Sequence, residues 1–296
     1  MSVAISVTLN SQSTVLTPRT MNITFIGGGN MASAIIGGLL QRDWPRESLR
    51  AVEILPAARE KLVHDFNIQT FPGISAQALQ TDCDCVVLAI KPQQMREAAA
   101  QLAPLVKNAL VITIAAGIRG SDLSRWLGQH DRGHQRIVRV MPNTPALVLA
   151  GISGLYAMPG ATAEDRASAE RIMGAVGETV WVEREDDIDA VTAVSGSGPA
   201  YVFYFIEALD QAARDLGMSA ATARRLALAT FTGAAKLAAQ SSEDAATLRA
   251  RVTSKGGTTE RALASMEADH IKAAIARAVK AAAERSRELG DELGQG

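Results

Sequence analysis

Apolar residues follow two spacings along the chain, and each spacing predicts a different kind of element. Short apolar runs predict buried strands at residues 23–26, 49–54, 85–90, 109–117, 136–141 and 179–183. Between the runs, apolar positions return at helical spacing. This predicts helices after the glycines at 27–29, at 56–66, after residue 94, at 163–177 and in a short segment capped by Ser121. Strands that alternate with helices in this way predict βαβ units and a parallel sheet.

Strand-like runs stop beyond residue 186, where alanine-rich helical segments follow with breaks at SGSGP, LGMS, SSED and TSKGG. The predicted fold is therefore α/β. It has a Rossmann-like dinucleotide-binding domain at residues 21–184 and an all-helical domain at residues 185–296. Residues 1–20 are rich in Ser and Thr and are predicted to be a loose leader. The apolar stretch at 191–209 is hard to bury in a domain of about 110 residues, so part of it is predicted to lie between subunits.

A glycine-rich turn follows the first predicted strand and opens the first predicted helix. Its sequence, GGGNMA at 27–32, fits the G-x-G-x-x-A pattern of dinucleotide-binding turns. In that pattern Gly27 permits the tight turn, Gly29 lets the backbone approach a pyrophosphate, and Ala32 allows close packing of helix on strand. A glycine turn without a ligand is the alternative. The strand before it and the helix after it favour a dinucleotide site.

Three more turns lie where predicted strands end: AIKP at 89–92, AAG at 115–117 and MPNTP at 141–145. Ligands of open α/β sheets bind at the carboxyl ends of the strands, so these turns predict a cleft. An acid about twenty residues beyond the glycine turn would bind a ribose 2′-hydroxyl and favour NAD, and Glu53 lies somewhat further along, on the second predicted strand. Arg50 and Arg59 flank it and would suit the 2′-phosphate of NADP. The third alternative is that all three are surface charges.

Composition excludes several other classes of function. A net charge of −1 and 4% aromatic residues leave no electrostatic footprint and few stacking platforms for nucleic acid. No apolar run is long enough to span a membrane. Cys83 and Cys85 have no further ligand cluster nearby, which predicts reduced thiols, no metal site and a cytoplasmic location. The four histidines stand away from the glycine-rich turns, and Thr, Ser, Gly and Asn predominate at the predicted site. That composition suits hydride transfer to a protonated imine, which needs no strong acid.

Six motifs in this order resemble the pyrroline-5-carboxylate reductase family: GGGNMA, AIKPQ, TIAAGI, RVMPNTPALV, DAVTAVSGSGPAYV and VTSKGGTTERAL. The resemblance covers about residues 21–288 and implies an oxidoreductase of proline biosynthesis. Such an enzyme reduces 1-pyrroline-5-carboxylate to L-proline with NADPH, or with NADH. It also implies a homo-oligomer built from intertwined dimers, with a decamer as one further assembly, and a substrate site completed by the helical domain of the neighbour.

The resemblance assigns a role to individual residues of this chain. Thr192 is the implied catalytic partner of the ring nitrogen, and Glu185 matches a position near the substrate. The turn at 253–259 is implied to bind the substrate carboxylate through Ser254, Gly256, Gly257, Thr258 and Thr259. The implied cofactor-binding residues are Ile26, Gly27, Gly28, Gly29, Asn30, Met31, Ala89, Ile90, Lys91, Pro92, Ile114, Ala115, Ala116 and Asn143.

The chain departs from the family pattern in places, and alternatives stay open. Lys255 stands where many members carry proline, and Ala76 where some carry an asparagine that touches the cofactor. SGSGP could be a plain helix start with Pro199 at an early position and Ser195, Ser197 and Thr192 as caps. A β-hydroxyacid-type dehydrogenase would need a helical lysine, for which Lys236 is the candidate. A non-catalytic NAD(P)-binding protein of the same fold is the third possibility.

Overall fold

One eight-stranded sheet organises the first part of the chain in the computed structural model, which describes residues 21–80, 82–128 and 132–295. The predicted leader, residues 1–20, lies outside the described residues. The strand order is β3-β2-β1-β4-β5-β6-β7-β8. The strands are β1 (Ile23–Ile26), β2 (Leu49–Val52), β3 (Gln69–Phe71), β4 (Cys85–Leu88), β5 (Leu110–Thr113), β6 (Ile137–Met141), β7 (Gly151–Ala157) and β8 (Gly177–Trp181).

Helices follow the strands and then make up the whole second part. The helices are α1 (Asn30–Gln41), α2 (Pro56–Phe66), α3 (Ala76–Leu79), α4 (Met95–Val106), α5 (Gly120–Leu127), α6 (Ala163–Met173), α7 (Asp187–Val191), α8 (Gly198–Asp215), α9 (Ala220–Gln240), α10 (Ala245–Arg251), α11 (Thr258–Ala268) and α12 (Ile271–Gly294). A π-helical turn, Thr192–Gly196, joins α7 to α8. Single 3-10 turns lie at Arg46–Ser48, Pro92–Gln94, Thr144–Val148 and Gly174–Val176.

The six predicted strands are confirmed, but the sheet is not wholly parallel. β7 was not predicted, because its sequence GISGLYA mixes glycine and serine with apolar residues, and it runs antiparallel to β6. β8 then pairs parallel with β7, which completes a mixed sheet. β3 was also missed, since it has only three residues and carries Gln69 and Thr70 at partly exposed positions.

The prediction that Ser121 caps its helix is wrong. α5 begins at Gly120, and its N-cap is Arg119, two residues before the predicted cap. The Gly120 N–H donates to a carboxylate oxygen of Glu185 at 2.5 Å. The free N–H group at this helix terminus is therefore bonded by a side chain from a distant part of the chain, rather than by a local serine as expected.

Both faces of the sheet are covered by helices and carry an apolar core. One face packs Phe25, Ile35 and Leu39 with residues of α6, and the other packs Leu88 and Met95 with residues of α4 and α5. Near-continuous apolar strands such as β4 and β5 are what a sheet buried on both faces requires. This core fixes the carboxyl ends of β1, β2, β4, β5 and β6 along one edge, because these strands run parallel.

The second part packs on the first through only some of its helices. α12 contacts α7 and the π-helical turn, and its end returns to the sheet domain, where Arg119 pairs with Asp291 at 2.5 Å. α8 packs on α9. No residue of α8, which the structure describes throughout, is buried, and in α9 only Ala223 and Ala227 are. The hairpin of α8 and α9 therefore exposes a large apolar surface in the single chain.

Candidate active site

The glycine turn between β1 and α1 has a conformation that requires glycine at its first residue. Gly27 has φ +100°, in the region that L side chains rarely adopt. A Cβ on Gly27 would also lie 2.5 Å from the backbone oxygen of Ala89. The Gly27 N–H bonds the Val52 carbonyl at 2.8 Å, so the turn is tied to the ends of both neighbouring strands.

The amino terminus of α1 is open toward the same edge of the sheet. Its N-cap, Gly29, has no side chain to satisfy the first free N–H groups, and the first turn carries no acidic residue. A Cβ built on Gly29 meets no atom of the chain within 4 Å. Packing within the chain therefore does not explain this glycine. Space above a helix N-terminus is what a pyrophosphate requires, so the residues present fit a dinucleotide.

Glu53 holds the glycine turn from the side of β2, a contact that sequence reasoning did not find. Its Oε2 accepts from the Gly28 N–H at 2.8 Å, and its Oε1 accepts from the Leu55 N–H at 2.9 Å. Arg59 donates to the backbone oxygens of Glu53 and Ile54 at 2.7 and 3.0 Å. Glu53 and Arg59 thus form a fixed pair of charged groups where β2 ends.

Arg50 lies neither at the sheet edge that carries the glycine turn nor in solvent. It is buried on β2. Burial lowers the pKa of its guanidinium, and the nearby charge of Asp82 opposes that shift. Asp82 lies just before β4 begins, at the opposite edge of the sheet from the glycine turn. The expectation that Arg50 serves a 2′-phosphate is therefore wrong.

The turns that end β4 and β5 flank the glycine turn. The Ala89 N–H bonds the Ile26 carbonyl at 2.8 Å, which places Ala89 and Ile90 directly beside Gly27. Lys91 is exposed, and Pro92 begins a 3-10 turn behind it. β5 ends at Thr113, so Ile114, Ala115 and Ala116 form a loop rather than the end of a strand. The structure brings these segments together along one edge.

Asn143 links the end of β6 to the π-helical turn. It is buried, its Nδ2 donates to the Ser195 carbonyl at 3.2 Å, and its Oδ1 accepts from the Ile152 N–H at 3.0 Å. A Cβ on Gly196 would lie 2.5 Å from Cε of Met141, the last residue of β6. The π-helical turn therefore sits against the carboxyl end of β6, on the edge of the sheet that also carries the glycine turn.

Thr192 is the first residue of this π-helical turn, and its hydroxyl proton is used in a hydrogen bond to the backbone. Oγ1 donates to the Ile188 carbonyl at 2.8 Å, and Ser195 donates in the same way to the Val191 carbonyl at 3.0 Å. A hydroxyl that donates to the backbone keeps its oxygen lone pairs as acceptors. π-helical turns recur at functional sites, and this one presents a half-buried acceptor at the sheet edge. Pro199 occupies the first turn of α8, as in the alternative of a plain helix start, but Ser197, the N-cap of α8, makes no side-chain cap bond.

Glu185 is engaged with the sheet domain rather than open to a ligand. Its Oε1 accepts from Arg139 Nη1 at 2.6 Å as well as from the Gly120 N–H. Arg139 is almost fully buried, with a side chain 6% exposed. Burial raises the pKa of the neighbouring Tyr156, and the charge of Glu185 raises it further. Sequence reasoning missed Arg139, which lies within an apolar strand without any local signal.

The segment 253–259 leads into α11, whose N-cap is Gly257 and whose first two residues are Thr258 and Thr259. Gly256 has φ +74°, and a Cβ on Gly257 would lie 2.6 Å from Ser254 Oγ. The first turn of α11 therefore presents free N–H groups at Thr258 and Thr259, as at α1. Ser254, Lys255, Gly256 and Thr258 are exposed in the single chain.

Glu260 also belongs to this turn, and sequence reasoning missed it. Its Oε2 accepts from the Gly256 N–H at 2.7 Å. This bond holds Gly256 in its left-handed conformation. It does not involve the N–H groups of Thr258 and Thr259.

Comparison with known proteins decides the family. A family model described as pyrroline-5-carboxylate reductase dimerisation matches residues 185–289, and one described as NADP oxidoreductase, coenzyme F420-dependent, matches residues 22–117. The pyrroline-5-carboxylate reductase of Pseudomonas aeruginosa is 45% identical over 280 residues, which cover 94% of this chain and 99% of that protein. The chain belongs to the pyrroline-5-carboxylate reductase family.

Solved structures of this reductase family also share the fold. A pyrroline-5-carboxylate reductase from Coxiella burnetii superposes with a TM-score of 0.84 at 38% identity, covering 92% of this chain and 99% of that one. A pyrroline carboxylate reductase from Plasmodium falciparum with NADP bound gives a TM-score of 0.79 at 29% identity, covering 91% and 98%. The chain is thus a reductase-family member along nearly its whole length.

Other candidate groups for a reductase reaction lie elsewhere in the chain. His64 is exposed on α2, His134 is buried with Nε2 3.0 Å from the Ala109 carbonyl oxygen, and His270 is the N-cap of α12. The remaining histidine, His130, lies outside the described residues. Among the residues that the structure describes, no cluster of His, Cys, Asp and Glu could hold a metal ion, and no helix is long and apolar enough to cross a membrane.

Proposed function

We propose that this chain is an NAD(P)H-dependent pyrroline-5-carboxylate reductase that forms L-proline in the last step of proline biosynthesis. The observation that carries the proposal is the meeting of two features at one sheet edge. The glycine turn with its open helix terminus lies there, and so does the π-helical turn with Thr192, held by Asn143. The NAD(P)H assignment draws on the NADP oxidoreductase model and on the relative with NADP bound.

The chain's own residues bind and orient the reactants. When bound, the nicotinamide cofactor supplies the hydride. The N–H groups at the start of α1 bind its pyrophosphate, and the turns after β4 and β5 flank it with small and apolar side chains. This placement supports the cofactor-binding assignments of residues 26–31, 89–92 and 114–116. Asn143 acts indirectly, by positioning the chain around the site, because both ends of its amide already bond backbone groups.

Thr192 receives the substrate nitrogen. Because its hydroxyl proton is donated to Ile188, Oγ1 faces the ligand as an acceptor. An acceptor suits a ring nitrogen that carries a proton, and the protonated imine is the form whose carbon draws hydride. The site therefore selects the reactive protonation state of the substrate without a general acid at this position.

The substrate carboxylate is bound by the turn at 253–259 through Ser254, Gly256, Gly257, Thr258 and Thr259. In the single chain this turn is exposed, and its hydrogen bonds stay within residues 249–261. We assign it to the active site of a neighbouring subunit, where it meets the partner's copy of Thr192. Glu185 then supports the site through Arg139 and the start of α5, and its proximity to the substrate stays a prediction.

A homodimer follows from the apolar surface of α8 and α9, within the residues matched as a dimerisation domain. Phe203, Tyr204 and Leu216 are 64%, 71% and 81% exposed in the single chain. We propose that the subunits of this homodimer are intertwined, and we expect light scattering to show the mass of at least a dimer; a tenfold mass would indicate a decamer. Phe203→Glu should reduce the mass, whereas Val63→Glu, at an exposed apolar position on α2, should not. A monomeric wild-type protein would contradict the shared site.

The division into residues 21–184 and 185–296 is retained as part of this proposal. A cytoplasmic location also stays a prediction, supported by the free thiols of Cys83 and Cys85. Burial raises the pKa of both thiols, and that of Cys85 most strongly, so neither has thiolate character at neutral pH.

Growth of a bacterium that lacks its own pyrroline-5-carboxylate reductase tests the function. We expect the wild-type chain to restore growth without proline. Lys236→Ala should restore growth equally, since Lys236 is exposed on α9, away from the proposed site. Neither a β-hydroxyacid-type dehydrogenase nor a non-catalytic NAD(P)-binding protein would rescue growth with any variant.

A further inference from the structure

Glu53 presents a fixed carboxylate where the adenosine half of a dinucleotide lies in this fold. In a Rossmann-like sheet, the ribose next to adenine meets the residue at the end of β2. Glu53 follows β2 directly, and both of its carboxylate oxygens are anchored by backbone N–H groups, of Gly28 at 2.8 Å and Leu55 at 2.9 Å. Its position is thus set by the same turn that binds the pyrophosphate.

The surroundings of Glu53 fit an adenosine ribose with free hydroxyls. Each carboxylate oxygen keeps one acceptor site after its backbone bond, which is what the 2′- and 3′-hydroxyls require. Ile54 and Leu55 follow it and are 65% and 61% exposed, an apolar pair beside the carboxylate that suits the face of an adenine ring.

The cations near Glu53 are poorly placed to compensate a 2′-phosphate. Arg59 donates to two backbone oxygens, those of Glu53 and Ile54, and would have to leave them to reach a phosphate. Arg50 is buried toward the opposite edge of the sheet. A dianionic phosphate would therefore meet a carboxylate that cannot move away without releasing the Gly28 N–H.

We infer that Glu53 is the residue that determines cofactor choice in this chain, and that it favours NADH over NADPH. The inference deepens the proposed function and rests on the dinucleotide site proposed there. The charge repulsion at a solvent-accessible site corresponds to about tenfold in affinity at moderate ionic strength.

Calorimetric binding of two cofactor fragments tests this inference without any turnover. The fragments are ADP-ribose and 2′-phospho-ADP-ribose, which differ only in the phosphate. The wild-type protein should bind ADP-ribose about tenfold more tightly, and the ratio should shrink as salt is added, because the discrimination is electrostatic. Equal affinities, or tighter binding of the phosphorylated fragment, would overturn the inference.

Three variants separate charge from shape. Glu53→Gln removes the charge and should bring the affinity ratio close to one. Glu53→Asp keeps the charge and should keep the preference for ADP-ribose. Glu60→Gln, at an exposed position on α2, makes the same change in net charge and should leave the ratio as in the wild type. A Glu53→Gln ratio unchanged from the wild type would refute the role of Glu53.

Thermal unfolding of each variant checks that it folds. If Glu53→Gln fails to fold, the ratio of the two fragment affinities in the wild-type protein still tests the preference for NADH. Failure of the reductase function itself would be seen separately, as absence of turnover with both cofactors.

Discussion

The pair formed by Glu185 and Arg139 gives the sharpest test of how the two parts of the chain are joined. Glu185 Oε1 accepts from Arg139 Nη1 at 2.6 Å and from the Gly120 N–H at 2.5 Å. The side chains are 23% and 6% exposed, so the arginine is the more deeply buried partner. Glu185→Ala leaves a buried guanidinium without its carboxylate and removes the acceptor at the start of α5.

The size of the effect follows from that burial. Breaking a fully buried ion pair costs about 3–5 kcal/mol. Water can reach the partly exposed side of Glu185, which places Glu185→Ala near the lower limit, at about 3 kcal/mol. Glu185→Gln keeps an oxygen acceptor and should cost about 1–2 kcal/mol, the loss of one charge-assisted hydrogen bond.

Urea denaturation, followed by tryptophan fluorescence at one fixed protein concentration, measures these differences. The double variant Glu185→Ala/Arg139→Met should be more stable than Glu185→Ala alone, because it removes the unpaired buried charge. The reasoning fails if Glu185→Ala unfolds like the wild type while the KM for pyrroline-5-carboxylate rises. That result would place Glu185 against the substrate rather than against Arg139.

Three other predictions concern the cofactor turn, the substrate nitrogen and a buried histidine. Gly27→Ala should weaken cofactor binding at least tenfold and lower stability by about 1–2 kcal/mol through its positive φ alone. Gly29→Ala should also weaken binding but cost less stability, about 0.5 kcal/mol, because alanine is the poorer N-cap while its Cβ meets no atom of the chain. Equal stability of the two variants in thermal unfolding would contradict the turn geometry. Thr192→Val should lower kcat about 10- to 100-fold, because it removes a hydrogen bond to a charged group. Cofactor affinity should stay unchanged, and Thr192→Ser should keep most of the activity. Loss of cofactor binding in Thr192→Val would refute the role of Thr192. Burial lowers the pKa of His134, so the folded state favours its neutral form, and unfolding free energy should fall as the pH drops below the ordinary histidine value. Denaturation midpoints of His134→Gln should depend less on pH over that range, and an unchanged dependence would count against a buried neutral His134.

Local patterns were enough to predict most of the fold and the glycine turn at the edge of the sheet. β1, β4 and β5 are buried on both faces, so each reads as a continuous apolar run, and the glycine turn carries its own spacing signal. β7 escaped because glycine and serine interrupt its apolar positions, and it reversed the expected direction of pairing. Strand ends were placed too late, since Ile114 and Ala115 are apolar but belong to a loop of the site.

Contacts between distant residues could not be read from sequence. Glu53 looked like a ribose ligand or a surface charge, and its bond to Gly28 depends on how β1 and β2 pair. Arg139 and Glu185 lie 46 residues apart in the chain and meet only because α7 folds onto β6 and β7. Motifs locate the turn proposed to be catalytic, but the partners that hold it follow from the tertiary structure.

Oxidation of NADH and NADPH by the purified full-length chain, with and without 1-pyrroline-5-carboxylate, is the most direct test of the account. The account predicts that cofactor is consumed only when the pyrroline is present, with L-proline formed in equal amount. Absence of turnover with both cofactors, from a protein that binds them and assembles as expected, would contradict it.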